Sequence, residues 1–412
     1  MENNVIPALR FPEFTDQWNS DKLGSIATFS KGKGISKADI DENGATECIR
    51  YGELYTVYSE VISEIKSKTN LDIDSLVLSD ANDVIIPASG ETQIDIATAS
   101  CVLKAGVALS GDLNIIKSET DGVFLSYYLN NAKKYKIARL AQGISVVHLY
   151  SSQLASLNVN IPSPDEQTKI SAFLMSIDKR IKILEKKKAE LEHYKKGVMQ
   201  KLFARTIRFK KDDGSDFPDW EEKKLGELGE TFNGLTGKTK VDFGEGKPYI
   251  QYMQIFSNSQ IDTSQFGLVK IEDGENQSKA QLGDVFFTTS SETPNEIGTS
   301  SVLTVEVDEV YLNSFCFGYR PNSLDELVPE FSQFFFRSEN VRRKVIKLAQ
   351  GSTRFNMSKL ELVKIKFDFP KKDEQVKIAN FLISIDKSIE KVGVQIEDSI
   401  LFKQGLLQKM FV

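Results

Sequence analysis

The chain has 412 residues, 40% of them hydrophobic, so it is too long for one ordinary domain and apolar enough to fill two cores. Its cysteines, Cys48, Cys101 and Cys316, are few, odd in number and unclustered, which argues for a reducing compartment and against a metal site. The N-terminus has no basic stretch leading into an apolar run, and no run of about 18 apolar residues occurs, so neither a signal peptide nor a membrane span is expected and the cytoplasm is the expected compartment.

Residues 1–17 read as an irregular lead-in, and Trp18 with Leu23-Gly24 opens a first domain. Short β-rich runs such as "DVIIPA" from Asp83 read as strands, and "FLSYYLNNAKKYKIARLA" from Phe124 has helical spacing, with Gly143 placed as its C-terminal cap. Leu157, Val159 and Ile161, alternating with Asn158 and Asn160, form a strand with one wet face. Ser163-Pro164-Asp165-Glu166 then supplies an N-cap, a proline at the first helical position and a capping-box glutamate. From there apolar residues keep 4-3 spacing through Ile170, Leu174, Ile177, Ile181, Leu184, Leu191, Val198 and Leu202, broken by Lys188 and Lys195. That is one long helix of about 60 Å that must bury a narrow stripe against another helix.

Almost everything from residue 141 to 203 returns 208 positions later without a slip. AQG at 141–143 recurs at 349–351, Glu166-Gln167 as Glu374-Gln375, Phe173–Lys179 as Phe381–Lys387, and "KKGVMQKLF" as "KQGLLQKMF". The second seam is Ile378, Leu382, Ile385, Ile389, Val392, Ile396, Leu406 and Met410, with Ser399 and Lys403 as its polar breaks, and each helix has the other as its obvious partner. Upstream, Trp220, Leu225 and Gly226 repeat the opening at an offset of 202, after the polar stretch "FKKDDGSDFPD" that reads as a linker. "YIQYMQIFS" from Tyr249 parallels "CIRYGELYT" from Cys48, and "SSETPNEIGTSS" from Ser290 parallels "SGETQIDIATAS" from Ser89. "SVLTVEV" and the alternation Val363, Ile365, Phe367, Phe369 read as strands, and "FSQFFFRSENVRRKVIKLA" as a helix capped by Gly351. The expected organisation is a first domain over 1–162, a central helix over 163–208, a second domain over 209–370 and a C-terminal helix over 371–412. The fold class is mixed α/β, internally duplicated about a pseudo-two-fold. A plain hairpin stalk or dimer zipper is the alternative, and it leaves the repetition outside the seam unexplained.

The search for catalytic chemistry returns little. "GLTGKTK" from Gly234 lacks the first glycine of a phosphate loop, Phe232 standing in its place. His148 and His193 are isolated, Pro164-Asp165 and Pro218-Asp219 do not bring carboxylates and a lysine from separate strands together, and no Asn/Asp-Pro-Pro-aromatic motif is present. The chain reads as a binder, without catalytic or metal residues. Its candidate contacts are polar loops in equivalent places. Lys31, Lys33 and Lys37 answer to Lys238 and Lys240 in glycine-bearing loops suited to phosphate. Ser89, Thr92 and Gln93 answer to Ser290, Thr293 and the nearby Asn295, whose side chains suit base edges, and Arg354 stands opposite Val146. Ordinary solvated turns remain the alternative. The net charge of −6 gives no general support for nucleic acid; residues 165–211 carry 14 Lys/Arg against 6 Asp/Glu, so any basic face is local.

Taken together, the Trp…Leu-Gly openings, the Glu166-Gln167 and Glu374-Gln375 passages and the following Asp178 and Asp386 resemble the specificity subunit of type I restriction-modification systems, over nearly the full chain. The resemblance implies two target-recognition domains, each gripping one half of a split, asymmetric site on double-stranded DNA, held apart by two antiparallel coiled-coil helices. Ile177, Ile181, Leu184, Leu191, Ile385, Ile389, Val392 and Ile396 would form the helix seam and partner surface. It further implies a non-catalytic chain that binds no cofactor, docked to two methyltransferase subunits using S-adenosylmethionine and to restriction-translocase subunits using ATP and magnesium, with no membrane partner. The rival reading is a scaffold that does not bind DNA, with duplicated ligand-binding domains on a coiled-coil stalk.

Overall fold

The computed structural model describes residues 6–143 and 146–412; the start of the expected lead-in, residues 1–5, lies outside the described residues, as do residues 144 and 145. The chain divides into two units, one running to Glu185 and including Val394–Val412, the other Lys186–Gly393. The long helices, Pro164–Phe203 and Lys372–Met410, each give part of their length to both units.

In the first unit the main sheet runs in the order Ala27–Lys31, Leu113–Ser118, Asp83–Pro87, Ser100–Val102, Val61–Ile62. All pairings are antiparallel except the last. Every residue of Asp83–Pro87 is buried, which explains why this strand shows an unbroken apolar run and no alternation. The second unit repeats the order with Gly229–Asn233, Cys316–Pro321, Val285–Thr288 and Ser300–Val302, all antiparallel. A lone parallel bridge from Gln260 to Val302 takes the place of the fifth strand. In each unit the opening strand pairs with the strand that leads into a long helix: Asn19–Lys22 with Asn158–Ile161, and Glu221–Lys224 with Lys366–Phe369. Leu23 and Leu225 continue these pairings by donating to the carbonyls of Leu157 and Ile365.

Aromatic residues fill the two cores. Trp18 meets Phe124 and Tyr128 edge-on, and Phe331, Phe335 and Phe336 do equivalent work in the second unit. The first core also takes Ile170, Leu174 and Ile177 from the start of one long helix and Leu406, Met410 and Phe411 from the end of the other. The second takes Leu202 and Phe203 with Ile378, Leu382 and Ile385. Within each unit the beginning of one helix thus shares a core with the end of the other, the arrangement of an antiparallel pair. Of the expected seam, Ile177, Ile385 and Val392 are buried, whereas Ile181, Leu184, Leu191, Ile389 and Ile396 are half-buried.

Two of the polar breaks in the seam, Lys195 and Lys403, have partners on the other helix. In the first unit the Lys403 ammonium lies 2.7 Å from Asp178 and 3.3 Å from Glu60, and Tyr127 donates its hydroxyl to Asp178. Burial, and then that hydrogen bond, push the Tyr127 phenol far above its ordinary range. In the second unit Lys195 lies 2.5 Å from Asp386 and faces the ring of Phe334. Lysine and aspartate exchange helices between the two arrangements, and a half-buried polar pair of this kind fixes register where leucines alone would slide.

Where each long helix begins, a buried carboxylate is gripped by an arginine. Arg10 donates through Nε and Nη2 to Glu166, both at 2.7 Å, and Arg208 through the same atoms to Glu374 at 3.0 and 2.8 Å. The adjacent glutamines hold the domain's next helix. Gln167 accepts from the Asp121 N–H and donates to the Pro162 carbonyl; Gln375 accepts from the Val328 N–H and donates to the carbonyls of Glu326 and Pro370.

Several expectations are corrected. Glu166 does not close a capping box, because its carboxylate is taken by Arg10. The lead-in and the linker are tied down: Phe11 packs on Phe173 and Phe209 on Phe381, and Lys377 donates to the Lys210 carbonyl and Asp212. The helix expected from Phe124 is two, Gly122–Asn131 and Lys134–Leu140, as is its counterpart, Pro329–Phe335 and Glu339–Ile346. Gly143 and Gly351 are not helix caps. At φ of +130° and +125° they turn the chain so that Gln142 pairs with His148 and Gln350 with Asn356, and a Cβ there would meet the carbonyl of Val146 or Arg354. "SVLTVEV" is strand only through Val302, and Val363 ends a helical turn, Lys359–Leu362, whose carbonyl Gly226 needs room to approach.

Glu374→Ala would leave Arg208 with only the exposed Asp219 at 3.4 Å as counter-ion and remove the acceptor of the Trp220 indole at 3.1 Å. The expected cost is about 3 kcal/mol. Glu166→Ala should cost less, since the Trp18 indole makes no such bond. Thermal unfolding of the two variants checks the order; equal or reversed losses would contradict it.

Candidate nucleic-acid interface

The loop after Ala27–Lys31 is shaped by close backbone packing. A Cβ on Gly32 would sit 2.0 Å from the Ser110 carbonyl oxygen, and one on Gly234 2.1 Å from that of Asn313, so these glycines serve the protein's own backbone and not a phosphate cradle. Lys31, Lys33 and Lys37 are exposed. Lys37 starts a 3₁₀ turn capped by Ser36 and Asp39, whose Asp39 carbonyl accepts from the Thr69 hydroxyl.

Ser89 is buried, and its short strand pairs with Val147–His148. Thr92 is exposed but its hydroxyl caps the helix Gln93–Ile96, accepting from the Asp95 N–H and donating 2.6 Å to the Asp95 carboxylate. Neither is a free base-reading side chain. Gln93, beside them, is exposed. The structure brings Lys31 to this hairpin: its ammonium stands 6.0 Å from the Tyr150 ring, which stacks at 6.4 Å on His148, the strand partner of Ser89. Lysine, imidazole and phenol side by side make a surface suited to phosphate and flat bases.

In the second unit Lys238 is withdrawn. Its side chain is 6% exposed and ion-paired to Glu275, whose carboxyl the pairing holds down at about 2. Lys240, two residues on, is exposed. Ser290 pairs with Asn356, and its carbonyl accepts from the Tyr252 hydroxyl at 2.8 Å. Thr293 and Asn295 are exposed on the following turn, whose carbonyls are fastened by the half-buried Arg342. Arg354 is exposed at the lip of a cleft of about 450 Å³ walled by Tyr252, Phe256, Phe315 and the Ser290 hairpin. The sequence reading named Arg354 and the hairpins but did not place His148, Tyr150, Met253 and Phe315 beside them. The recurrence of aromatics four apart, Tyr51 and Tyr55 against Tyr252 and Phe256, was a readable signal for the cleft wall. Nothing in the sequence marks Phe315.

Burial pushes the thiols of Cys48 and Cys101 up to about 11 and about 12, so they are poor nucleophiles. No helix among the described residues is long and apolar enough to cross a membrane.

The family model described as the type I restriction modification DNA specificity domain matches twice, over residues 15–193 and 218–400. The chain is 24% identical over 413 residues to the type I restriction enzyme MjaVIII specificity subunit of Methanocaldococcus jannaschii, covering 93% of this chain and 88% of the relative. Among solved structures it is similar to the S subunit of a type I restriction-modification system from M. genitalium, at a TM-score of 0.58 and 16% identity over 99% of both chains. It is also similar to a chain from structural work on complex assembly and conformational transition of the type I R-M system, at a TM-score of 0.57 and 17% identity, covering 96% of this chain and 97% of that one.

The ion pair gives a local expectation. Lys238→Ala should lower the unfolding midpoint of the protein, because Glu275 loses its cation, whereas Lys240→Ala should leave it unchanged. A differential scanning measurement in which both behave alike would show that Lys238 is the open surface lysine its sequence context suggested.

Proposed function

The chain belongs to the type I restriction-modification DNA specificity family, as a specificity subunit with two DNA specificity domains, and we propose that each domain reads one half of a split, asymmetric site on double-stranded DNA. The observation that carries this reading is the duplication itself: one strand order and one junction clamp occur twice, while the residues on the equivalent loops differ. A symmetric dimer would present identical readers and a palindromic target; a duplicated single chain lets the halves diverge. Lys31, His148, Tyr150 and Gln93 make the contact face of the first domain, with Lys33 and Lys37 further along the same loop. Ser290, Thr293, Asn295, Arg354 and Lys240 make that of the second.

The chain acts without catalysis of its own, a reading supported by the lack of the Asn/Asp-Pro-Pro-aromatic motif that amino-methylating enzymes use and by the isolated histidines. Two methyltransferase subunits bring S-adenosylmethionine to the bound site, and restriction-translocase subunits bring ATP and magnesium. The half-buried middle of the helix seam, Ile181, Leu184, Leu191, Ile389 and Ile396, offers apolar surface for such partners. The working compartment is the cytoplasm, where the DNA is.

Replacing residues 18–160 with the equivalent domain of a relative should change one half of the methylated motif and leave the other half intact. Sequencing modified adenines in cells carrying the chimera is the check. Both halves changing together would contradict two separate readers.

A further inference from the structure

The cleft beside Arg354 has features that packing within the second domain does not explain. Met253 and Phe315 are each 60% exposed on its walls. Phe315 is not on a loose loop: its N–H donates to Asn313 Oδ1 at 2.8 Å and its carbonyl accepts from the Thr289 N–H at 3.0 Å, so the backbone is pinned with the ring held outward. Tyr252 and Phe256 stack at 6.3 Å, and the Tyr252 hydroxyl ties them to the Ser290 hairpin. Arg354 stands on a turn locked by Gly351 and has no carboxylate or carbonyl partner among the described residues, unlike Arg208, Arg320, Arg337 and Arg342.

The first domain carries the same frame with other side chains. The bond from the Ala88 N–H to the Asp112 carbonyl stands where Thr289 bonds Phe315, and Leu149 bonds the Ala88 carbonyl as Met357 bonds that of Thr289. Asp112 therefore answers to Phe315, and by the repeat Gly52 answers to Met253 and Val146 to Arg354. Backbone is kept and cleft-lining chemistry is exchanged. That is the pattern of a surface whose job is to differ between the domains.

We infer that this cleft is the base-reading pocket of the second domain, an inference that rests on the DNA reading proposed above. Arg354 donates two hydrogen bonds to O6 and N7 of a guanine in the major groove, and Phe315 with Met253 receives the C5-methyl of a neighbouring thymine. Glu292 and Glu296 on the same cleft disfavour a phosphate there, which directs Arg354 to a base edge; the backbone is left to Lys240. In the first domain Asp112, an acceptor where Phe315 is apolar, selects a base edge that presents an amino donor.

The test uses the full complex with its methyltransferase partner and a panel of duplexes changed one base pair at a time through the motif. Arg354 is exposed and unpartnered, so Arg354→Ala should fold; its unfolding midpoint is the control. It should lose discrimination at one G·C pair of the second half-site by about tenfold or more, with the first half-site and the spacing unchanged. Arg354→Lys keeps the charge but not the paired donors, and should keep overall affinity while losing the same discrimination. The pair Phe315→Asp and Met253→Gly, which copies the first domain, should lose the thymine preference at the adjacent pair and favour a base edge that presents an amino donor. Uniform weakening across all duplexes would mean a phosphate contact, and unchanged discrimination would mean no contact; either overturns the pocket while split-site reading stands. A wild-type complex without any two-part preference would instead remove the reading on which the pocket rests.

Discussion

The structure depends on a carboxylate placed out of water at the point where each domain becomes a helix. Glu166 and Glu374 have side chains 0% and 1% exposed. An ionised carboxylate in that position is unfavourable unless it is paired and fully hydrogen-bonded. The bidentate arginine meets both conditions, and in doing so recruits a segment from before the domain's opening tryptophan. Its glutamine neighbour uses both ends of its amide to lock the strand-to-helix turn onto the helix that covers the sheet. The direction in which a long helix leaves its domain is therefore set by polar groups with no slack, and the apolar seam only has to follow.

The second constraint lies along the seam. Leucine and isoleucine stripes specify contact but tolerate sliding; a lysine that must reach an aspartate across the pair does not. Lys403 with Asp178 and Lys195 with Asp386 meet that need reciprocally, each within its own unit. The two copies have still drifted. Glu60 adds a second carboxylate to Lys403, whereas Ser259, whose carbonyl accepts the equivalent strand hydrogen bond, stands in its place in the second unit. Duplication has preserved the junctions while side chains around them changed, and the same divergence on the loops is what makes two different readers possible.

Much of this was legible from residues alone because it is periodic. The gapless offset of 208 and the 4-3 apolar spacing marked both long helices, and the proline at the first helical position marked the start of the first. What stayed hidden was set by distant partners. Glu166 looked like a capping residue because Arg10 is 156 positions away in sequence. Lys195 and Lys403 looked like flaws in a seam because their aspartates lie on the other helix. Lys238 looked open beside its glycine, yet Glu275 closes over it; Ser89 and Thr92 looked like free polar groups, yet one is buried in a hairpin and the other caps a helix. Local sequence tells which residues can bond to nucleic acid, and tertiary contact decides which of them are left over to do so.

The central claim is that this chain supplies a two-part sequence preference for DNA. It is tested most directly by mapping methylated bases across a genome with the gene present and with it deleted. The account predicts that deletion removes methylation from one motif made of two short specified halves around an unspecified gap, and from no other. Methylation that survives deletion unchanged, or loss of a motif that is continuous, would contradict it.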